Sequence, residues 1–257
     1  MRPRIIPCLL LKGRGLIKGR KFASHKYVGD PVNAVNIFNA KDVDELVFLD
    51  IEATRQGRSI PLSVVEQIAD ECYMPFAVGG GVADAETARR LLYAGAEKVV
   101  VNTACVTRPQ VIAECARVFG SQAVVAAVDV VRVALGEPRV VVASGGRLTD
   151  IHPVAHAKRL EALGAGEILL TSIERDGAAT GYDLPLVRAV AEAVSVPVIA
   201  AGGARSLADC RRVVDAGASA AAAGSLFVFY GPKRAVLISY PEDAELAAMF
   251  PADDPAA

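Results

Sequence analysis

Apolar and polar positions along this chain form two alternating patterns. Short continuous apolar runs recur, and most are followed by a longer segment whose apolar residues are about three or four positions apart. The continuous runs are typical of strands buried in a parallel sheet, and the wider spacing is typical of amphipathic helices. We therefore predict about eight strand–helix units. The predicted strands are residues 4–11, 45–51, 75–78, 98–101, 122–128, 167–171, 197–201 and 218–222.

Eight strand–helix units in a chain of 257 residues are typical of the (β/α)8 or TIM barrel, an α/β fold. We expect one barrel domain over residues 1–250 and a frayed tail at 251–257. The predicted helices are residues 32–39, 61–72, 83–92, 109–119, 153–163, 184–194, 206–216 and a short final helix at 242–249.

Two of the predicted strands run directly into glycines. Residues 75–82 read PFAVGGGV, and residues 197–204 repeat this pattern as PVIAAGGA. Gly80 and Gly202 are 202 − 80 = 122 residues apart, and the helices that follow match at the same separation. A period this long indicates a duplicated half-domain rather than a solenoid repeat of about 20–50 residues. The two predicted half-barrels are about residues 1–120 and 121–250.

Each glycine turn joins a buried strand to the start of a helix. Backbone N–H groups and the positive end of the helix dipole converge at such a turn, which makes it a candidate anion site. A single turn of this kind is equally well explained as a tight connection without a ligand. Because the turn occurs twice, we predict a ligand with two anionic ends.

In a (β/α)8 barrel the loops after the strands lie on one face and carry the function. Candidate residues for chemistry are therefore those that follow the predicted strands. They are Asp50, Gly81, Asn102, Asp129, Asp176, Gly203 and Ser225.

Two segments lie outside the repeated pattern. Residues 12–21 are basic and glycine-rich, and they predict either a mobile loop that closes over an anionic substrate or a solvated hairpin. Residues 130–150 alternate weakly between turn signals and predict a small hairpin.

Composition narrows the classes of protein that remain. The chain is 53% hydrophobic with a net charge of −1, which favours a large core and argues against a nucleic-acid partner. The N-terminus lacks the apolar run of a signal peptide, and glycines and a proline interrupt the uncharged segment 216–232, so we expect no membrane span. No metal-ligand spacing is present, and we expect neither metal nor cofactor. The scattered cysteines are typical of reduced thiols in a cytoplasmic protein: Cys8, Cys72, Cys105, Cys115 and Cys210.

Several segments together resemble one known family, the cyclase subunit of imidazole glycerol phosphate synthase. The resemblance covers roughly residues 4–229. Its motifs are RIIPCL at 4–9, DELVFLDI at 44–51, VGGG at 78–81, FGSQ at 119–122 and GAGEILLTS at 164–172, followed by Asp176-Gly177.

This resemblance implies a duplicated barrel that binds a bis-phosphate ribonucleotide. It also implies a docked glutaminase subunit at the N-terminal face, which supplies ammonia for closure of an imidazole ring. One phosphate would lie at Gly81, Asn102 and Thr103, and the other at Asp176, Gly177, Gly203, Gly224 and Ser225. A charged gate for ammonia maps onto Arg4, Glu45, Lys98 and Glu167, although a salt-bridge ring that only stabilises the barrel is the alternative.

One position departs from the family pattern. The family uses two aspartates as acid and base, after the first and fifth barrel strands. Asp129 matches the second of them, either as a catalytic group or as a structural carboxylate, but Leu10 stands at the first. Because leucine cannot transfer a proton, ring closure is expected to be impaired by orders of magnitude.

The chain also resembles a paralogous branch of this family that is associated with acetamidino modification of surface-polysaccharide sugars. In that branch the barrel is thought to pass ammonia from a glutaminase to a separate ATP-dependent amidotransferase. Three hypotheses follow: this ammonia-conducting role, a true cyclase-lyase of histidine biosynthesis, or a scaffold without ligand binding. In the second, the candidates to replace the missing aspartate are Lys18, Asp50 and Asp176.

Overall fold

Parallel strands close into a barrel in the computed structural model, which describes residues 2–251. The strands are β1 (Arg4–Lys12), β2 (Gly15–Arg20), β3 (Ala23–Gly29), β4 (Leu46–Asp50), β5 (Phe76–Gly79), β6 (Lys98–Val101), β7 (Val124–Arg132), β8 (Pro138–Val142), β9 (Arg147–Leu148), β10 (Glu167–Ser172), β11 (Val198–Ala201), β12 (Ala220–Ala223), β13 (Phe229–Tyr230) and β14 (Ala235–Val236). The helices are α1 (Pro31–Asn39), α2 (Leu62–Glu71), α3 (Ala85–Tyr93), α4 (Thr103–Thr107), α5 (Gln110–Phe119), α6 (Pro153–Ala162), α7 (Leu184–Ala191), α8 (Leu207–Asp215), α9 (Ser225–Val228) and α10 (Asp243–Met249).

The barrel contains eight of these strands in the order β1, β4, β5, β6, β7, β10, β11 and β12. Parallel pairing of β6 with β7 joins the two halves on one side, and pairing of β12 with β1 joins them on the other side and closes the ring. Helices alternate with the strands, so the predicted (β/α)8 fold is confirmed. The carboxyl ends of the strands therefore meet at one mouth.

Side chains alternate between the inside of the barrel and the helix layer, as the period of a strand requires. On β1, Ile6 packs in an inner cluster with Val47, Val100 and Leu169, whereas Ile5 belongs to the larger outer core. Burial on both sides explains why the strands are continuous apolar runs.

The predicted duplication is visible in the backbone. A Cβ atom at Gly80 would lie 2.7 Å from the carbonyl oxygen of Asp50, and one at Gly202 would lie 2.5 Å from that of Ser172. Both glycines have positive φ, 123° and 87°, and Asp50 and Ser172 are themselves 122 positions apart. The two half-barrels therefore turn from strand to helix with the same close backbone packing.

Two antiparallel additions lie at the mouth of the barrel. The predicted hairpin at 130–150 is confirmed, because β8 pairs with the extended end of β7 and with β9. Residues 12–21 form most of a second hairpin, in which β2 pairs with both β1 and β3. The hairpin interpretation of this segment is confirmed, but its solvated character is wrong, because Leu16, Ile17 and Lys18 are buried.

Besides the strand β3, three elements were not foreseen from the sequence. The short helices α4 and α9 begin at Thr103 and Ser225, again 122 positions apart. The third is the β13–β14 hairpin, which precedes the confirmed final helix α10. Residues 252–257 of the predicted tail lie outside the described residues. Over residues 2–251, the helices are all too short or too polar to cross a membrane.

Candidate functional site

A cavity of about 190 Å³ opens at the mouth of the barrel. The ends of several strands and the β2–β3 hairpin together form its wall. It brings together residues that are far apart in sequence, including Asp50 and six of the predicted catalytic and phosphate-binding residues. These six are Gly81, Asn102, Thr103, Asp129, Asp176 and Gly224.

Asp129 lies inside this cavity near the end of β7. Its Oδ2 accepts a hydrogen bond from Asn102 Nδ2 at 3.1 Å. Burial raises the pKa of Asp129 to about 7, and the charge of Asp176 adds to the rise, while hydrogen bonds from Thr171 and Asn102 oppose it. A carboxyl group with this pKa can both accept and donate a proton near neutral pH, as a general acid or base must.

Lys18 and Asp176 form a buried ion pair that also lines the cavity. Lys18 Nζ lies 2.8 Å from Asp176 Oδ1, and both side chains are about nine-tenths buried. The second carboxylate oxygen, Oδ2, is buried and has no hydrogen-bond partner among residues 2–251. The pair therefore brings a cation and a partly unsatisfied carboxylate to the same cavity as Asp129.

Leu10 occupies the position in the first half-barrel that Asp129 occupies in the second. In the strand registers, Leu10 pairs with Leu49 and Asp129 pairs with Thr171. Leu49 and Thr171 are 171 − 49 = 122 positions apart, the separation of the repeat. One wall of the cavity is consequently apolar, with Leu10 and Leu49, where the opposite wall has a carboxylate and a hydroxyl.

Asp50 also lines the cavity, but its carboxylate is occupied by its own loop. Oδ1 accepts hydrogen bonds from the backbone N–H groups of Glu52 and Ala53, and Oδ2 is paired with Arg58. These contacts hold the loop after β4 in shape. The geometry does not favour Asp50 as a replacement for the missing aspartate.

The predicted first phosphate site lies where β5 and β6 end. Gly81 has φ of 67°, and a Cβ atom there would lie 1.9 Å from the carbonyl oxygen of Arg58. Thr103 Oγ1 accepts a hydrogen bond from the backbone N–H of Ala143, at 3.0 Å, in the β8–β9 turn. The hairpin at 130–150 therefore contacts this site directly.

The predicted second phosphate site is less exposed to the cavity. Gly224 lines it, but Gly177, Gly203 and Ser225 do not. A Cβ atom at Gly177 would lie 2.3 Å from the carbonyl oxygen of Gly19. One at Gly203 would lie 2.2 Å from the carbonyl oxygen of Gly181. These two glycines thus allow close packing of neighbouring loops.

Four charged side chains form a ring at the opposite end of the barrel, where the strands begin. Arg4 pairs with Glu45 and with Glu167, the latter at 2.6 Å, and Lys98 Nζ lies 2.9 Å from Glu45 and 3.1 Å from Glu167. All four residues of the predicted gate are therefore in mutual contact. The inner apolar cluster lies between this ring and the cavity.

Thr171 is a cavity residue that sequence reasoning missed. It is the register partner of Asp129 on the neighbouring strand, and its side chain lowers the pKa of that carboxyl group. The repeat offered a signal, because Thr171 lies 122 positions after Leu49 and is polar where Leu49 is apolar. Without the strand register, that difference has no visible consequence.

Burial raises the pKa of the cysteine thiols throughout the protein. All five cysteines are free thiols, and burial raises the pKa of Cys8, which lines the cavity, to about 12. A thiol with this pKa is a poor nucleophile. Residues 2–251 contain no group of His, Cys, Asp and Glu side chains arranged to hold a metal ion.

The closed barrel, its duplicated halves and the polar cavity at one mouth define a (β/α)8 protein built as two half-barrels. Residues 4–232 match the model of the family described as histidine biosynthesis protein, and the chain belongs to that family.

Curated relatives narrow this assignment. A Pseudomonas aeruginosa protein named "Putative imidazole glycerol phosphate synthase subunit hisF2" is 48% identical over 243 residues, which cover 94% of this chain and 97% of the relative. Proteins named "Putative imidazole glycerol phosphate synthase subunit HisF" from Leptospira borgpetersenii and Leptospira interrogans are 41% and 42% identical, over 98% and 97% of this chain and 100% and 99% of their own lengths. The resemblance to the HisF-like cyclase subunits is confirmed.

Proposed function

We propose that this chain is the ammonia-accepting barrel subunit of a glutamine-dependent enzyme pair and that it does not close an imidazole ring at the usual rate. The observation that carries the proposal is Leu10 at the position equivalent to Asp129. A side chain without an ionisable group leaves acid–base catalysis with one of its two members. The loss expected for one such group is about 10²–10⁴-fold.

A glutaminase subunit is the proposed partner at the end of the barrel where the strands begin. The ring of Arg4, Glu45, Lys98 and Glu167 supports this, because it closes the route to the barrel interior with groups that can rearrange. Tyr73 and Tyr93 lie after α2 and at the end of α3, on the same end, and are 87% and 83% exposed. Exposed aromatic side chains are typical of protein interfaces.

A phosphorylated small molecule is the proposed ligand at the other mouth. The two glycine turns, with Asn102 and Thr103 in one half and Asp176 and Gly224 in the other, support a ligand that has two anionic ends. We propose that the ammonia is consumed by a separate ATP-dependent amidotransferase, in the acetamidino modification of a surface-polysaccharide sugar in the cytoplasm. The sequence motifs shared with that paralogous branch support this step.

A coupled assay with the glutaminase partner and the bis-phosphate substrate of histidine biosynthesis tests the proposal. The native protein is expected to release no imidazole product, and Leu10→Asp is expected to gain ring closure. Leu10→Asn, which introduces similar polarity without a titratable group, is the matched control. Turnover by the native protein at rates typical of the family would contradict the proposal.

The alternative is a true cyclase-lyase of histidine biosynthesis. The pKa of Asp129 near 7 and the adjacent Lys18–Asp176 pair favour it, since they place a proton-transfer group and a cation in one cavity. Complementation of a histidine auxotroph by the native chain, with loss of complementation in Asp176→Asn, would support this alternative. A protein that binds no bis-phosphate ligand at all would instead favour a scaffold role.

A further inference from the structure

Arg234 belongs to a hairpin that has no counterpart in the first half-barrel. In the first half, α4 leads through Arg108 and Pro109 into α5. In the second half, α9 leads instead into the β13–β14 hairpin. The hairpin is therefore an addition to the second half alone, next to the predicted second phosphate site.

The guanidinium group of Arg234 reaches back to that site. Its Nη1 lies 3.5 Å from the carbonyl oxygen of Gly177, and its Nη2 lies 3.5 Å from Ser225 Oγ. Its central carbon lies 4.4 Å from the centre of the Phe229 ring. Stacking on an aromatic ring orients the planar group, while the two long polar contacts leave most of its five N–H donors available.

No carboxylate neutralises this guanidinium within residues 2–251. A second cation, Lys26, lies 5.6 Å from the centre of the same Phe229 ring and contacts the Arg234 carbonyl oxygen at 3.4 Å. Lys18 adds a third positive group, since its Cε would lie 2.9 Å from a Cβ atom at Gly224. Its partner Asp176 offsets one charge of the three.

The first half-barrel has a smaller surplus of positive charge in the described part of the chain. Arg58 is paired with Asp50, and Arg108 is paired with Glu114. Arg55 donates to the backbone carbonyl groups of residues 143 and 144 in the β8–β9 turn. The two anion sites are therefore unequal: in the described residues, Arg55 is the uncompensated cation at the first site, whereas Arg234 and Lys26 are both uncompensated at the second.

We propose that Arg234 is an anion-binding residue that closes over a phosphate monoester held at Gly203, Gly224 and Ser225. This inference deepens the proposed function and rests on its phosphorylated ligand. The planar donors of arginine match two oxygens of a phosphate group at once. The second half-barrel then holds the more tightly bound end of the ligand, and the hairpin determines which anionic groups fit there.

The test is a titration of the ¹⁵N-labelled full chain with inorganic phosphate, followed by NMR at two pairs of backbone amides. Gly81 and Thr103 report on the first site, and Gly203 and Ser225 report on the second. Arg234→Gln is expected to weaken phosphate binding at the second pair about tenfold, as the loss of a charged hydrogen bond does. The first pair is expected to change less than about twofold.

Lys233→Gln is the matched control, because Lys233 is the exposed residue next to Arg234 and its replacement removes the same charge. It is expected to leave both sites unchanged within about twofold. An equal loss in Lys233→Gln and Arg234→Gln would overturn the proposal, since long-range charge would then explain both. Arg234→Lys keeps the charge without the two-pronged donor, and native affinity in this variant would also overturn it.

The amides of Tyr230 and Ala235 show whether the hairpin persists in Arg234→Gln. If they shift strongly, the Arg234→Lys comparison decides the outcome. If neither site of the native protein responds to phosphate, the phosphorylated ligand of the proposed function fails and this inference fails with it. If the second site responds and Arg234→Gln leaves it intact, the role of Arg234 alone is contradicted.

Discussion

Lys18 and Asp176 join the β2–β3 hairpin to the loop after β10 through a buried ion pair, with Nζ and Oδ1 2.8 Å apart. The neighbouring backbone adds a second tie, because the N–H of Lys21 donates to the carbonyl oxygen of Asp176 at 2.8 Å. A basic segment that suggests a mobile loop is thereby held over the cavity.

Removal of one member of this pair is expected to destabilise the fold. Lys18→Met leaves the Asp176 carboxylate buried without its cation, which typically costs about 3–5 kcal/mol. Urea unfolding at pH 7 measures the loss. Lys12→Met, at an exposed pair with Glu52 of 3.6 Å, is the control and is expected to cost less than about 1 kcal/mol. The double variant Lys18→Met/Asp176→Asn is expected to recover part of the lost free energy of unfolding. If the double variant loses as much stability as Lys18→Met alone, this account is contradicted.

The ionisation of Asp129 is expected to make stability depend on pH. Its pKa is raised from 3.8 to about 7, so the folded protein holds this proton more tightly than the unfolded chain. The stabilising contribution of the protonated group is complete below about pH 4 and is lost as the pH rises to about 7. Each pKa unit corresponds to about 1.4 kcal/mol. Asp129→Asn is therefore expected to gain stability relative to the native protein at pH 8 but not at pH 4.

Unfolding curves of the native protein and Asp129→Asn between pH 4 and pH 8 provide the measurement, with Asp150→Asn as an exposed control. A stability difference that does not change with pH would mean that Asp129 ionises normally.

The charged ring at the start of the strands is expected to depend on Lys98. In Lys98→Met, Glu45 and Glu167 must share Arg4 as their cation. Glu45 is only 2% exposed. We expect a loss of about 3 kcal/mol or more in the free energy of unfolding. Lys158→Met, on the exposed face of α6, is the control and should remain within about 0.5 kcal/mol of the native value. Equal stability of the two variants would show that the ring is not a stabilising network.

Gly81 and Gly57 separate the cost of backbone conformation from the cost of close packing. Both have positive φ, 67° and 63°, but a Cβ atom at Gly57 would have no neighbour within 4 Å, whereas one at Gly81 would lie 1.9 Å from a carbonyl oxygen. Gly57→Ala is expected to lower the free energy of unfolding by about 1–2 kcal/mol, because alanine disfavours the left-handed conformation. Gly81→Ala is expected to cost a further 1–3 kcal/mol or so, because the loop must shift. Thermal unfolding of the two variants tests this, and equal melting temperatures would argue against the close contact.

Several features could be predicted from the sequence because they depend on local order. The continuous apolar run of β4 indicates a buried strand, and the paired turns at Gly80 and Gly202 reveal the duplication. Parallel strands place their carboxyl ends together, so the residues that follow them could be assigned to one face before any coordinates. The departure at Leu10 was also visible, although through resemblance to a family.

The tertiary structure decided which of these residues act together. Lys18 and Asp176 are 158 positions apart, and nothing in either segment indicates that they form a buried pair. Asp50 is occupied by its own loop and by Arg58, whereas Asp129 on β7 lines the cavity. Local sequence determines strands, turns and repeats through periodicity, but the partners of a charged side chain are determined by the closure of the barrel, which brings distant segments within hydrogen-bonding distance.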